Sequence, residues 1–221
     1  VKPDSVEKKQ VFVEIHNNGF LLLPQKALYW QEEKALVIAD LHIGKTNHFR
    51  RSGLPVPEAA NTSNYEKLIS CIQVCEPEKV IFAGDLFHSA YNQAWEELGH
   101  LLQHFTSIRF YLTIGNHDVM SNHQYQRFNI QVIDTYLANN IAITHHPDAT
   151  DKKVYNLAGH VHPGFRLSGK AKQALTLPCF YFGEDGGLLP AFGAFTGLSR
   201  IEPKVNDQIY VIVDQSIVKV C

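Results

Sequence analysis

Ala35-Leu36-Val37-Ile38-Ala39-Asp40-Leu41-His42 is a short apolar run that stops on an aspartate and, two residues later, a histidine. A continuous apolar run of this length suits a strand buried on both faces, because a strand with one wet face would alternate with polar residues. The arrangement recurs. Val80-Ile81-Phe82-Ala83 ends at Gly84-Asp85, and Phe110-Tyr111-Leu112-Thr113-Ile114 ends at Gly115-Asn116-His117-Asp118. Ala142-Ile143-Thr144 runs into His145-His146-Pro147, and Leu157-Ala158 runs into Gly159-His160-Val161-His162. Ligands of α/β sheets bind where the chain leaves the strands, so five such edges can converge on one point.

The segments between these edges set the fold class. From about Pro57 to Cys75 a helix is expected, with Tyr65, Leu68, Ile69 and Ile72 on one stripe and Pro77 beyond its end. A second helix carries Trp95, Leu98, Leu102 and Phe105 on one face. At the N-terminus, Val11–Ile15 and Phe20–Leu23 flank Asn17-Asn18-Gly19 and read as a hairpin. After Asp118 the helical periodicity fades into strands, ending in a pair near Ile209–Val213 and Ile217–Val220. Strand and helix alternate in the first half while the second half is mostly strand. This favours a mixed α/β (α+β) fold of two packed sheets with helices outside, over a parallel doubly wound sheet. No repeat or linker divides the chain, so residues 1–221 are expected to form a single domain.

Composition excludes several classes. A formal net charge of -2 gives no global positive field to draw the protein onto nucleic acid, so any such contact needs a local patch. No apolar stretch is long enough for a membrane span, and polar Val1–Gln10 does not read as a signal peptide. Cys71, Cys75, Cys179 and Cys221 form no CxxC pair, which suggests reduced thiols and a cytoplasmic place.

Each polar motif alone has an ordinary explanation. Asp40-Leu41-His42 could be a capped turn, Gly84-Asp85 a turn dipeptide before a helix, and the histidine pairs surface residues. Their combination is another matter: carboxylates supply charge and bridging oxygens, imidazoles complete a coordination shell, and an Asn amide adds a neutral oxygen. An alternating His-x-His on a strand would also place both imidazoles on one face.

The order D-x-H, G-D, G-N-H-D, H, G-H-x-H resembles the calcineurin-like metallophosphoesterases. That resemblance implies a four-layer α/β/β/α sandwich and a site for two divalent cations. It places Asp40, His42, Asp85 and His162 on one cation and Asp85, Asn116, His145 and His160 on the other, with Asp85 bridging. At the fourth motif His145 matches the family position, with His146 as the alternative. Further segments are similar to one bacterial subfamily, the ligase-associated DNA-damage-response phosphoesterases: Leu23–Trp30, Asp40–Lys45, His48–Pro57, Gly84–Ser89 and Pro190–Gly197. This similarity implies a manganese-dependent phosphodiesterase or endonuclease in DNA repair, associated with a DNA ligase, helicase or exonuclease; zinc, iron or magnesium could fill the same donors.

His117 is not needed as a ligand in that scheme, which makes it the candidate general acid, with Asp118 orienting its imidazole or simply capping a helix. Lys45, His48, Arg50 and Arg51 follow the first motif and are placed to touch phosphates flanking the scissile one. His88 is a further candidate substrate contact, and Arg166, Lys170 and Lys172 could extend the basic patch. Phe49 could stack on a base, whereas Phe192 and Phe195 are more readily core than pocket lining. The alternative to a nuclease is a small-molecule phosphoesterase acting on a nucleotide or cyclic phosphodiester, which needs the same cations and no basic groove. A catalytically dead scaffold is disfavoured by the completeness of the motifs.

Overall fold

Two sheets stack face to face, and the chain edges leaving both of them gather at one end. The structure, a computed structural model, describes residues 10–45, 59–88, 91–147, 153–169, 173–194 and 196–221, with helix side chains given from 63 onward. The first sheet runs in chain order: β1 (Val11–Ile15), β2 (Asn18–Leu23), β3 (Ala27–Trp30), β4 (Ala35–Ile38), β5 (Lys79–Ala83), β6 (Arg109–Thr113) and β7 (Ile130–Ile133). β1 to β4 are antiparallel neighbours, whereas β4 to β7 are parallel and need crossovers. Those crossovers contain α1 (Ala59–Cys75), α2 (Gln93–Gln103) and α3 (Asn122–Gln126).

These three helices lie on one face. Leu68 and Ile72 of α1, Trp95 and Leu98 of α2 and Tyr125 of α3 share a core with Leu36, Ile38, Phe82 and Leu112 of the sheet. The other face, bearing Val37, Ala39, Ile81 and Ala83, packs on Ile141, Ile143, Leu157 and Phe180 of the second sheet. Strands covered on both sides account for the unbroken apolar runs in the sequence.

The second sheet has the order β14 (Ser199–Arg200), β11 (Pro163–Ser168), β12 (Ala174–Phe182), β13 (Gly186–Leu188), β10 (Tyr155–Ala158), β9 (Ile141–Thr144) and β8 (Tyr136–Ala138). β15 (Gln208–Val213) pairs with β12, and β16 (Ser216–Lys219) pairs with β15. On its outer side Cys179, Ile209 and Val211 pack with Phe165, Leu167 and Leu177. The mixed two-sheet architecture is the expected one. Among the described residues no helix is long and apolar enough to cross a membrane.

Several local features differ from the sequence reading. The first hairpin turns at His16-Asn17, with φ of 49° and 60°, and Asn18 and Gly19 belong to β2. A two-residue turn with both φ positive matches the twist of the flanking strands. Asn18 is then free to anchor the interior: its amide nitrogen donates to His16 O and Asn139 O, and its oxygen accepts from Trp30 Nε1 at 2.9 Å. β3, β8 and α3 are too short to leave a periodic signal.

Candidate metal centre

The five polar motifs do leave their strands at one end. Asp40 and His42 follow β4, Asp85 follows β5, Asn116 to Asp118 follow β6, His145 follows β9, and His160 and His162 follow β10. Backbone bonds lace the first two loops together: Asp40 N–H donates to Gly84 O, His42 N–H to Asp85 O, and Ile43 N–H to Leu86 O.

The Gly159–His162 segment corrects one expectation. It is not a strand: His160 and His162 have φ of 65° and 54°, and the two rings serve different neighbours. His162 Nε2 lies 3.4 Å from Asp40 Oδ1, whereas His160 Nδ1 lies 3.1 Å from His145 Nε2. Asp40, His42 and Asp85 also have left-handed backbones, with φ of 53°, 50° and 50°. Such conformations are uncommon outside glycine and cluster where surrounding structure over-determines them.

Asp40 and Asp85 are buried carboxylates. Asp40 accepts the N–H of His160 on both oxygens, at 3.2 and 3.0 Å. Asp85 looks two ways. Its Oδ2 is 3.7 Å from His42 Nε2 and 4.0 Å from His117 Nε2, while Oδ1 is 3.6 Å from His145 Nε2 and accepts the His117 N–H at 2.9 Å. Three overlapping donor sets result: Asp40, His42 and His162; Asp40, Asp85 and His145; and His145, His146 and His160.

The donors fit divalent cations. His42 Nε2 is buried without a hydrogen-bond partner, which would cost about 1–3 kcal/mol if nothing satisfied it. Burial, reinforced by Lys45 and the neighbouring histidines, pushes the His42 imidazolium down to about 2, so its ring is neutral and carries a free lone pair. His145 Nδ1 is 3.2 Å from Ala83 O, and donation to that carbonyl leaves Nε2 as the coordinating atom. Burial likewise lowers the pKa of His160. Gly84, at φ 75°, lies under the His145 ring, where an added Cβ would collide with it. His146 is exposed, its ring centroid 4.4 Å from that of His160.

Around the donors, His117 is exposed above Asp85, with its ring centroid 3.9 Å from that of His88. His88 Nδ1 in turn lies 3.2 Å from His42 Nδ1. Asn116 is exposed in the same loop. Lys45 is half-buried, and the charges of Asp85 and Asp40 hold up a pKa that burial lowers. His48, Phe49, Arg50, Arg51, Lys170, Lys172 and Phe195 lie outside the described residues, and Arg166 is exposed on β11. Phe192 is fully buried core.

Asp118 is neither a helix cap nor hydrogen-bonded to the His117 ring. Its carboxylate accepts the N–H of Phe87 at 3.2 Å and of Gly115 at 2.9 Å, clamping the loops after β5 and β6 together. Burial pushes its pKa up to about 7; the two N–H donors oppose this, and the charge of Asp85 adds to it. A carboxyl with a raised folded-state pKa contributes stability that is present below about pH 4 and lost as pH rises through about 7. With cations chelated, wild type is therefore expected to lose about 3 kcal/mol relative to Asp118→Asn between pH 5 and 8, at ~1.4 kcal/mol per unit over the two units that titrate. Urea unfolding of both proteins at the two pH values measures it; parallel profiles would place the carboxyl's pKa elsewhere.

The model of the calcineurin-like phosphoesterase family matches residues 33–179, well over half of the chain. The chain belongs to the calcineurin-like phosphoesterases. It is a metal-dependent hydrolase of phosphoesters, and the matched stretch contains every donor described above. The crystal structure of the nuclease MPE from Pseudomonas putida is similar at 27% identity and a TM-score of 0.81, covering 96% of this chain and 100% of that one. YfcE, a phosphoesterase from E. coli, gives 14% identity and a TM-score of 0.45 over 84% of this chain and 97% of that one. No curated protein matches the chain.

Proposed function

We propose that this phosphoesterase is a two-cation phosphodiesterase that cleaves nucleic acid, with DNA as its substrate. The observation that carries the two-cation reading is the double aspect of Asp85: one oxygen faces His42 and the other faces His145. Asp40, His42, Asp85 and His162 would hold one cation, and Asp85, Asn116, His145 and His160 the other. The near full-length likeness to a Pseudomonas nuclease supports a polynucleotide substrate. The subfamily resemblance favours manganese and a role in DNA repair beside a ligase, helicase or exonuclease, and the cysteine spacing favours the cytoplasm.

When bound, the cations would neutralise the charge that builds on the phosphoryl group and supply a nucleophilic water at neutral pH. The chain's own residues do the rest. His42 stays a neutral donor through burial, and Ala83 O fixes the orientation of the His145 ring. His117 is positioned to give a proton to the leaving oxygen, because its backbone N–H ties the loop to Asp85 while its ring stays open to solvent. Asp118 holds that loop through Gly115 rather than through the imidazole. Lys45, continued in sequence by His48, Arg50 and Arg51, and His88 beside His117 would contact the substrate.

The net charge of -2 favours a second reading, a small-molecule phosphoesterase that needs no basic groove. Manganese-dependent assays on bis-p-nitrophenyl phosphate, its mono-ester, a cyclic nucleotide and a labelled single-stranded oligonucleotide separate the two. Hydrolysis of the small diester together with oligonucleotide cleavage is expected. Diester and cyclic nucleotide turnover without DNA cleavage would favour the second reading, and no diesterase activity with any divalent metal would defeat both.

A further inference from the structure

The segment Pro190–Gly197 is rich in small residues and lies outside all five donor motifs, yet Ala191–Gly193 within it run against the first of them. β3 turns away from β4 at Lys26, so beyond Ile38 one side of β4 has lost its neighbour. Ala191 takes that place, bridging Ala39 in parallel. The N–H of Phe192 donates to Ala39 O at 2.9 Å and that of Gly193 to Asp40 O at 3.0 Å. The chain reaches this position directly from β13 of the other sheet, through Leu189, whose N–H bonds Ala158 O.

From the opposite side α1 holds Phe192 and Ala194. Lys67 Nζ donates to Phe192 O and stands 3.9 Å above the Phe192 ring, and Asn64 Oδ1 accepts the Ala194 N–H at 3.2 Å. Asn64 is buried, and burial pushes the Lys67 ammonium down to about 7, aided by the charge of Lys26. Lys67 is half-buried, so its ammonium gives up part of its hydration, and an apolar side chain of similar length would fill the space without that loss. The approach to the Asp40 loop is also close: a Cβ on Gly193 would lie 2.5 Å from Leu41 O and 3.1 Å from Asp40 O.

We infer that Lys67 and Gly193 are positioning residues for the metal centre, holding Ala191–Ala194 against the Ala39-Asp40 backbone so that the Asp40 carboxylate keeps its place among the donors. Asp40 is then gripped at four points: its N–H by Gly84 O, its carbonyl by Gly193, and both carboxylate oxygens by the His160 N–H. Without the segment, the carbonyls of Ala39 and Asp40 lose their donors and the loop is free to shift. Supporting groups behind a ligand typically change metal affinity by roughly 10–100-fold.

This inference rests on the reading of Asp40 as a ligand, so the experiment carries its own control. Manganese binding is measured by calorimetry on the metal-stripped full chain and thermal midpoints on the same samples, for Lys67→Met, Gly193→Ala, Asn64→Asp and Asp40→Asn. Lys67→Met is expected to bind manganese at least about tenfold more weakly with an unchanged or raised thermal midpoint, a combination a purely structural lysine would not give. Gly193→Ala should weaken binding similarly, while Asn64→Asp, which keeps the acceptor, should bind as wild type. Wild-type affinity in Lys67→Met and Gly193→Ala alongside weak binding in Asp40→Asn overturns the inference alone. Wild-type affinity in Asp40→Asn overturns the metal-centre reading beneath it.

Discussion

Asp85→Asn is expected to lower phosphodiester hydrolysis by at least about 10³-fold, the scale of losing several kcal/mol of charge stabilisation at the reacting phosphate. The substitution keeps shape and an oxygen for the His117 N–H, so the loop after β6 has no reason to move. What it removes is the charge placed between His42 and His145, the only position in the proposed scheme that serves both cations. Asp40 and Asp85 are both buried, so neutralising one relieves repulsion in the metal-stripped protein, and its thermal midpoint should hold or rise. Steady-state rates on bis-p-nitrophenyl phosphate, metal content by mass spectrometry and a thermal melt check the three parts separately. Full activity with two bound cations in Asp85→Asn would remove Asp85 from the bridge.

His117→Ala should leave cation binding untouched and lower turnover by about 10²–10⁴-fold, the range for losing a positioned proton donor. The side chain is open to solvent and its backbone N–H, not its ring, bonds to Asp85, so the scaffold keeps its contacts after truncation. The leaving group sharpens the test. A p-nitrophenolate departs without much protonation, whereas the sugar alkoxide of a nucleic acid needs a proton, so the loss should be much larger on an oligonucleotide than on the chromogenic diester. Equal losses on both substrates would argue against a general acid, and loss of bound manganese would move His117 into the ligand shell.

The chain edges that build the centre were legible because each strand is buried on both faces. That burial makes the apolar run continuous and its polar terminus abrupt, as at Ala39-Asp40 and Ala83-Gly84-Asp85. α1 and α2 were legible for the same reason in another period, since Leu68, Ile72, Trp95 and Leu98 must meet one sheet face. The conformation of Gly159–His162 was not, because alternation in sequence does not distinguish a strand from a loop with two left-handed residues. The role of Asp118 was hidden too: its partners are the backbone N–H groups of Phe87 and Gly115, which carry no side-chain signature. The same holds for Ala191–Ala194, whose contacts with Ala39 and Asp40 are between backbones from different sheets. Gly84 read in the sequence as half of a turn dipeptide, and the close approach of the His145 ring above it had no signature there.

The left-handed backbones of Asp40, His42, Asp85, His160 and His162 have a consequence for how this sequence can drift. Each carries strain on the order of 1 kcal/mol that glycine would not, and together they approach the ~5–15 kcal/mol by which a domain outlasts unfolding. Glycine at Asp40 or Asp85 would relieve that strain but leave the His160 or His117 N–H without its carboxylate acceptor, so the strain and the hydrogen bonds offset each other. The strain is the local cost of placing these five side chains together at the candidate centre.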